Sequence, residues 1–411
     1  MKNKVVVIGA GAAGLMAAGT AGELGAEVIL LEKNKKVGRK IAITGKGRCN
    51  LTNYCDVQTF ISNVPTNGKF LYSALNNFSP YDTVGFFNGN GLETKVERGN
   101  RVFPVSDRAL DVVDTLHGFV TYRGVKIING SAEALIIKDG QVKGVKTESE
   151  KIMCDKAIVC CGGLSYPLTG STGDGYRLAK QAGHSIVKPK PSLVPMESTD
   201  SCCKEMQGLS LKNISLKIVE EKTEKTVYSD FGEMLFTHFG MSGPVILSAG
   251  ANMDDPQKTA YYAEIDLKPA LGFEQFDARL LRDFSENINR DISNSMSRLL
   301  PKKMIPVVLK RWGVSFDKKC NSITKEERHK LLEIIKGFRV QIKSFRPIDE
   351  AIVTSGGVAV SEISPKTMES KLCKGLYFAG EVIDVDAYTG GFNLQIAWST
   401  GRLAGENSAY S

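Results

Sequence analysis

Apolar and polar positions follow two rhythms along this chain. Val5-Val6-Val7-Ile8 is an unbroken apolar run between Lys4 and Gly9. A β-branched run of that length predicts a short strand buried on both faces. Leu15-Met16-Ala17-Ala18 begins a helix, and residues 27–31 repeat the buried-strand pattern up to Glu32. Two short helices are expected across 70–88. A longer one follows from 107 to about 120, capped by Ser106 or Asp107. Strand patterns cover 125–128, 132–138 and 142–147, the last two joined at Asp139-Gly140. Residues 157–160 form another buried strand, and Thr169-Gly170-Ser171-Thr172-Gly173-Asp174-Gly175 opens a helix to about 182. The Pro-rich segment 188–195 predicts a crossing between domains. Strand patterns then occupy 209–219 and 225–230, helical patterns 273–336, and a strand 338–345. So 195–345 reads as an insert of β-barrel plus helices. Residues 352–358 and 375–381 return to buried strands of the first domain, and a last helix starts near Asn393 and runs to about 409.

The punctuation between these elements carries the chemistry. Gly9-Ala10-Gly11-Ala12-Ala13-Gly14 is G-x-G-x-x-G between a strand and a helix. Gly9 permits the tight turn, Gly11 lets a pyrophosphate approach the backbone, and Gly14 lets helix and strand pack closely. Phosphates would sit on the amides at the helix start, where the dipole favours anions. Glu32 closes the second strand about 20 residues on, where an acid binds a ribose hydroxyl. Residues 5–22 carry no charge, but five of these 18 are glycines. That is neither the ~20 strongly apolar residues of a membrane span nor a signal peptide.

At 411 residues the chain is long enough for two or three domains. Its 42% hydrophobic and 24% charged residues are ordinary for a soluble protein. The net charge is +8, with Lys33, Lys35, Lys36, Arg39, Lys40, Lys46 and Arg48 in one stretch. Such a stretch suits a solvated loop, a nucleic acid, or the counter-charge of a pyrophosphate. The last is preferred because the stretch directly follows Glu32, and on that ground no nucleic-acid partner is expected. Nine cysteines include the pairs Cys160-Cys161 and Cys202-Cys203 but no C-x-x-C and no zinc-like spacing. The expectation is a reduced, cytoplasmic protein without a metal, its adjacent cysteines forming buried strand pairs.

The 37–53 loop, with Arg39, Lys40, Thr44, Gly45, Arg48, Cys49 and Asn50, offers amides and cations to phosphates and to the polar edge of a ring. Cys161, Gly162 and Gly163 permit a second close backbone approach. Asp174 opens a helix near the same ligand. Gly380 and Glu381 end a buried strand with an acid suited to ribityl hydroxyls, and Gly390-Gly391 starts a helix whose amides can face a flavin edge. Together these features demand a ligand longer than the Gly9–Gly14 turn alone would hold.

GRKIAITGKGRCNLTN, RVFPVSDRA, GSTGDGY, LFTHFGMSGP, TSGGV and GLYFAGEVIDVDAYTGGFNLQ together resemble the BaiN-like family of FAD-dependent oxidoreductases, over nearly the whole chain. TGDG and the late Gly-Glu are also similar to fumarate-reductase-type flavoproteins. Cys160-Cys161 departs from the Ala and Thr usual there, which keeps packing but loses a hydroxyl contact. The resemblance implies an α/β, Rossmann-like FAD-binding domain made of 1–192 and 348–411. It also implies an insert, 193–347, with a β-barrel at 193–270 and 337–347 and a helical unit at 271–336. FAD contacts are implied at Gly9 to Gly14, Glu32, Arg39, Lys40, Asn50, the strand near Ala132, Gly162, Glu381, Asn393, Leu394, Gln395 and Ile396; Lys33 belongs to the same set. The implied reaction is hydride transfer at flavin N5. A C=C bond conjugated to a ketone, as in a steroid-like bile acid intermediate, would be reduced at the expense of NADH or NADPH. Oxidation of an aminoketone by oxygen is the alternative, and a nucleic-acid-modifying flavoprotein a third. No second nucleotide-binding βαβ unit is visible for the nicotinamide. The helix at Asn393 would stabilise the anionic reduced ring. His238, inside LFTHFGMSGP, is either the proton donor to a small-molecule substrate or a turn residue. His117, His184 and His329 are structural, and Cys49 and Tyr388 either approach the ring or pack.

Overall fold

The computed structural model of the protein describes residues 2–410. The chain divides into two compact units, Met1–Ser192 with Pro347–Ser411, and Leu193–Arg346.

The first unit is built on a five-stranded, all-parallel sheet. Its strands are β1 (Lys4–Ile8), β2 (Glu27–Glu32), β3 (Lys126–Asn129), β4 (Lys156–Val159) and β5 (Leu376–Phe378), in the order β5-β4-β1-β2-β3. Helix α1 (Ala12–Glu23) connects β1 to β2, and α2 (Phe392–Ala409) ends the described chain. Strand order reverses at β1, so a ligand crevice is expected at the carboxyl ends of β1, β2 and β4. The apolar runs are wholly buried, with Val5, Val6 and Val7 at 0% exposure.

The two helices meet through their smallest residues. A Cβ added to Gly401 of α2 would lie 2.5 Å from the Ala13 carbonyl oxygen of α1, and one on Gly405 would lie 2.5 Å from that of Ala17. Both obstacles are backbone, so a larger residue must separate the helices. Gly401→Val is expected to cost about 2–4 kcal/mol, because overpacking there also disturbs the turn that α1 caps. A thermal melt checks this, and an unchanged Tm overturns it.

Several local expectations change. The 109–122 helix is entered through Arg108, not capped by Ser106 or Asp107. Asp107 has φ +56 and its carboxylate binds Arg48 and Lys95. The helix expected from Thr169 begins at Asp174, behind a left-handed Gly173. The Pro-rich segment is a strand, Ile186–Ser192, paired antiparallel with Val353–Val358 through a bulge. A two-stranded pair tolerates proline because its outer edge needs no donors. A helix at Val57–Ser62 and a hairpin of Thr94–Glu97 with Arg101–Pro104 lack strong periodicity and escape the pattern.

The second unit holds a seven-segment antiparallel sheet with helices between 273 and 336. The two ends of this sheet are Phe338–Ile342 and Ser344–Phe345. Only Lys343 separates them, and its amide donates to the Glu197 carbonyl oxygen at 2.9 Å. One continuous strand therefore pairs with 261–266 on one side and with 196–197 on the other, which closes the sheet on itself. Cys202 and Cys203 are buried here on the Ser201–Glu205 helix rather than on a strand. The Arg311 guanidinium, 3.2 Å from the Cys202 sulfur, helps hold that thiol down to about 7, after the larger effect of the bond from Cys203.

Candidate cofactor site

The G-x-G-x-x-G turn has the geometry its glycines allow. Gly9 has φ +99, and its amide donates to the Leu31 carbonyl oxygen at 2.8 Å. A Cβ on Gly14 would stand 1.8 Å from the Gly9 carbonyl oxygen. A Cβ on Gly11 would meet nothing within 4 Å. The space above Gly11 is thus open, while the positions either side are closed by backbone. No side chain caps α1, and its first turn holds no acid. The positive helix end faces that space, as a phosphate cradle requires.

Glu32 lies at the end of β2 and is 9% exposed. Its carboxylate accepts from the amide of Ala10 at 2.8 Å, the amide of Asn34 at 2.8 Å and the Asn34 side chain at 2.7 Å. These bonds fix the acid beside the glycine turn. Asn34 in turn accepts from Arg39 at 2.7 Å and donates to the Thr169 carbonyl oxygen. Lys33 bridges to Asp174 at 2.6 Å and to Thr172. Burial raises the Asp174 carboxyl, but Lys33 and Thr172 outweigh it and leave it below the ordinary value. Ala132 adjoins the same helix: its carbonyl accepts from Arg177 at 2.9 Å.

Across the sheet, Glu381 follows β5. Its Oε2 lies 2.6 Å from the Lys40 ammonium. Its Oε1 accepts from the Ser165 hydroxyl and the Thr354 amide, each at 2.8 Å. Thr354 Oγ1 accepts from the amides of Leu164 and Ser165. A Cβ on Gly163 would lie 2.4 Å from that hydroxyl. The 163–165 turn, the returning strand, the basic loop and Glu381 are therefore one connected polar body. Ser165 and Thr354, both 0% exposed, carry it and are missed by sequence reasoning. Thr354 does lie in TSGGV, and the threonine before the two glycines is the usable sign.

The 37–53 loop is held in an uncommon shape. Gly38, Gly45, Lys46, Gly47 and Cys49 all have left-handed backbone, two of them without the freedom of glycine. Thr44 donates to the Ile41 carbonyl oxygen. Cys49 is wholly buried, and burial pushes its thiol up to about 12. Arg48 turns to Glu97 and Asp107 and lies 4.1 Å over the Phe103 ring. The loop reaches the start of α2, where Trp398 donates to the Leu51 carbonyl oxygen at 2.9 Å and Asn53 to that of Gly390 at 3.2 Å.

Helix α2 begins behind Gly391, φ +102, again with no capping side chain and no first-turn acid. Asn393 clamps the preceding loop through the Ala387 amide at 3.0 Å and carbonyl oxygen at 2.7 Å. Gln395 and Ile396 do not face outward. The Gln395 amide donates to the Gly391 carbonyl oxygen and its side chain to Phe78 and Ser399, while Ile396 is 2% exposed. The open amides are those of Phe392, Asn393 and Leu394. His238 lies in the second unit, exposed at a turn between two strands and 5.0 Å from the Phe239 ring.

A dinucleotide with a long polar tail fits these residues. The cradle at Gly11 is open, two helix starts lack caps, and Asn50 Oδ1 is buried without a hydrogen-bond partner among the described residues. Glu32, the amides of α1, the Lys40–Glu381 body and the start of α2 would hold FAD.

Comparison with known proteins agrees. The family model described as HI0933-like protein Rossmann domain matches residues 3–407. The chain is 31% identical to the ribosomal RNA dihydrouridine synthase of Escherichia coli (strain K12), over 96% of this chain and 95% of that protein. It is 30% identical to the 3-dehydro-bile acid delta(4,6)-reductase of Clostridium scindens, over 99% of each. Among solved structures, the 3-ketosteroid-delta4-(5alpha)-dehydrogenase of Rhodococcus jostii RHA1 shares the fold, with a TM-score of 0.53 at 14% identity, over 100% of this chain and 97% of that one. With its parallel sheet, glycine turn and paired helix starts, the chain belongs to the HI0933-like Rossmann-domain family and is an FAD-dependent oxidoreductase.

Proposed function

We propose that the protein reduces a C=C bond conjugated to a carbonyl, with electrons from NADH or NADPH, and that the substrate is a uracil base in RNA. The observation that carries the reaction class is the start of α2. Its positive end carries no cap and no acid, and it follows the loop that Glu381 begins, so it suits an electron-rich ring edge. When bound, FAD would supply the hydride to the alkene carbon β to the carbonyl. Lys40, Ser165 and Thr354 orient Glu381, and Asn393 fixes the loop before the helix. His238 supplies the proton to the neighbouring carbon. The names of two relatives support the class. Dihydrouridine is uridine with the bond conjugated to its C4 carbonyl saturated, and in a delta(4,6) 3-dehydro-bile acid the double bonds are conjugated to the 3-ketone.

Charge favours RNA over a steroid. The case against a nucleic acid rests on a pyrophosphate neutralising the basic stretch. Lys33, Lys40 and Arg48 are instead ion-paired with Asp174, Glu381, Glu97 and Asp107. The net charge of +8 over the whole chain suits a polyanion. A steroid-like enone is the second reading, favoured by the bile-acid relative. Among the described residues no helix is long and apolar enough to cross a membrane.

The test is anaerobic photoreduction of the holoenzyme followed by mixing. Reoxidation by an unmodified ribosomal RNA transcript, with dihydrouridine formed, is expected. Reoxidation by a 3-keto-4-ene steroid supports the second reading, and reoxidation by oxygen alone would make the protein an oxidase and overturn both. His238→Ala should retain FAD and lose about 100-fold or more in turnover. Full turnover in that variant removes His238 from the mechanism.

A further inference from the structure

We propose that His184, Glu362 and Ser370 form a pH-sensitive latch that pins the 359–373 segment to the parallel sheet and so steadies the strand leading to Glu381. The three residues come from a helix end, a 3-10 turn and a loop. Their side chains bond in series: His184 Nε2 to Ser370 Oγ at 2.7 Å, and His184 Nδ1 to Glu362 Oε2 at 3.1 Å.

Hydrogen-bond counting fixes the protonation state. Ser370 Oγ already accepts from the amides of Leu372 at 3.0 Å and Cys373 at 2.9 Å. A hydroxyl has two lone pairs and one proton. Both lone pairs are taken, so the hydroxyl can only donate to His184. Nε2 must then be an acceptor, and the ring proton sits on Nδ1 and points at Glu362. A second proton on the ring would set an N–H against an oxygen with no lone pair left. Burial disfavours that charge as well and lowers the His184 value, with Glu362 opposing. Among the described residues, Glu362 is the charged group bonded to the ring. The other neighbours are Ser370 and Phe378 of β5, whose ring lies edge-on at 4.8 Å.

The arrangement has the bond order of a serine-hydrolase triad. The His184 side chain is 0% exposed and Ser370 is 7% exposed. A substrate cannot reach the hydroxyl, so the triad holds rather than hydrolyses. What it holds is specific. The Ser370 amide donates to the Leu376 carbonyl oxygen at 2.7 Å, and the Phe378 amide to that of Met368 at 3.1 Å. The segment thereby supports β5, two residues before Gly380 and three before Glu381.

The sign follows from linkage. The folded state prefers neutral His184, so its contribution is complete above the ordinary histidine value of ~6.5 and is lost as pH falls toward the lowered one. Hydrogen–deuterium exchange of the FAD-loaded protein, corrected for intrinsic rates, tests this. Peptides covering 359–373 should lose at least tenfold in protection between pH 7.5 and pH 5. His184→Gln, whose amide can accept from Ser370 and donate to Glu362, should flatten that dependence. Unchanged protection in the native protein, or the same pH dependence in the variant, overturns the latch. If His184→Gln does not fold, nitrogen NMR of labelled histidine decides, with signals assigned by replacing His117, His238 and His329 in turn. A neutral ring bare at Nε2 is expected at pH 6.5, and a charged ring or an Nε2–H tautomer overturns the proposal.

Discussion

Gly11→Ala should fold normally and bind FAD about 100-fold more weakly, whereas Gly14→Ala should not yield a folded protein. The two glycines are three residues apart and serve opposite ends. Gly11 has φ −84, which any residue adopts, and an added Cβ touches nothing within 4 Å. The protein alone does not need a glycine there. The methyl would fill the open space over Gly11 through which a pyrophosphate would reach the α1 amides. A displaced phosphate loses contacts that a single atom cannot replace, so about 100-fold in affinity, or ~2.7 kcal/mol, is the expected loss. At Gly14 the same methyl would sit 1.8 Å from the Gly9 carbonyl oxygen. That obstacle is backbone of the β1–α1 turn, tied to β2 by the Gly9–Leu31 hydrogen bond, and nothing flexible can yield. Titration with FAD together with thermal melts separates the two effects. A Gly11→Ala protein that keeps FAD at native affinity would remove the phosphate from this turn.

Glu381→Ala should cost about 3 kcal/mol of stability and abolish FAD retention. The carboxylate serves three donors, Lys40, Ser165 and the Thr354 amide, and its side chain is 19% exposed. Removing it strands a largely enclosed ammonium and a buried amide, and breaking a buried pair from one side is what makes such losses large. Replacing both partners should hurt less. Lys40→Met with Glu381→Leu is expected to be more stable than Glu381→Leu alone, though equally unable to hold FAD. Urea unfolding of the four proteins in that cycle measures the coupling. A single-mutant loss below about 0.5 kcal/mol would show that the polar body is incidental.

Legibility of this molecule tracked sequence distance. The unit from β1 to Glu32 could be read almost residue by residue, because its constraints are local: a buried run, glycine spacing, an acid at a strand end. Glu381 could also be read, since it ends a strand in the same way. What surrounds it could not. Ser165 and Thr354 are 189 residues apart along the chain, and Lys40 and Glu381 are 341 apart. No local pattern marks a serine as the partner of a distant carboxylate. The same distance hid His184, whose partners lie 178 and 186 residues away, so that it looked like any histidine after a helix. Arg48 has partners that its own stretch does not show. Its place in a basic run suggested a phosphate, but Glu97 and Asp107 are its partners, and neither lies in the run. Gln395 and Ile396 show how a helix start limits such a reading: it offers only its first amides, and these two lie further in, with the Gln395 amide donating to Gly391.

Helix α1 is buried nearly all round, from Ala13 to Ala21, and it is covered by α2, which ends at residue 409. During synthesis on the ribosome the first helix therefore emerges almost four hundred residues before its cover. The second unit is continuous from Leu193 to Arg346 and can complete while the first unit still lacks β5 and α2. Vectorial folding thus runs from the middle outward, and the segment around α1 stays apolar and unprotected until α2 has been made. Exposed apolar surface of that kind invites aggregation, and a premature stop before Phe392 leaves behind a sticky fragment instead of a smaller enzyme.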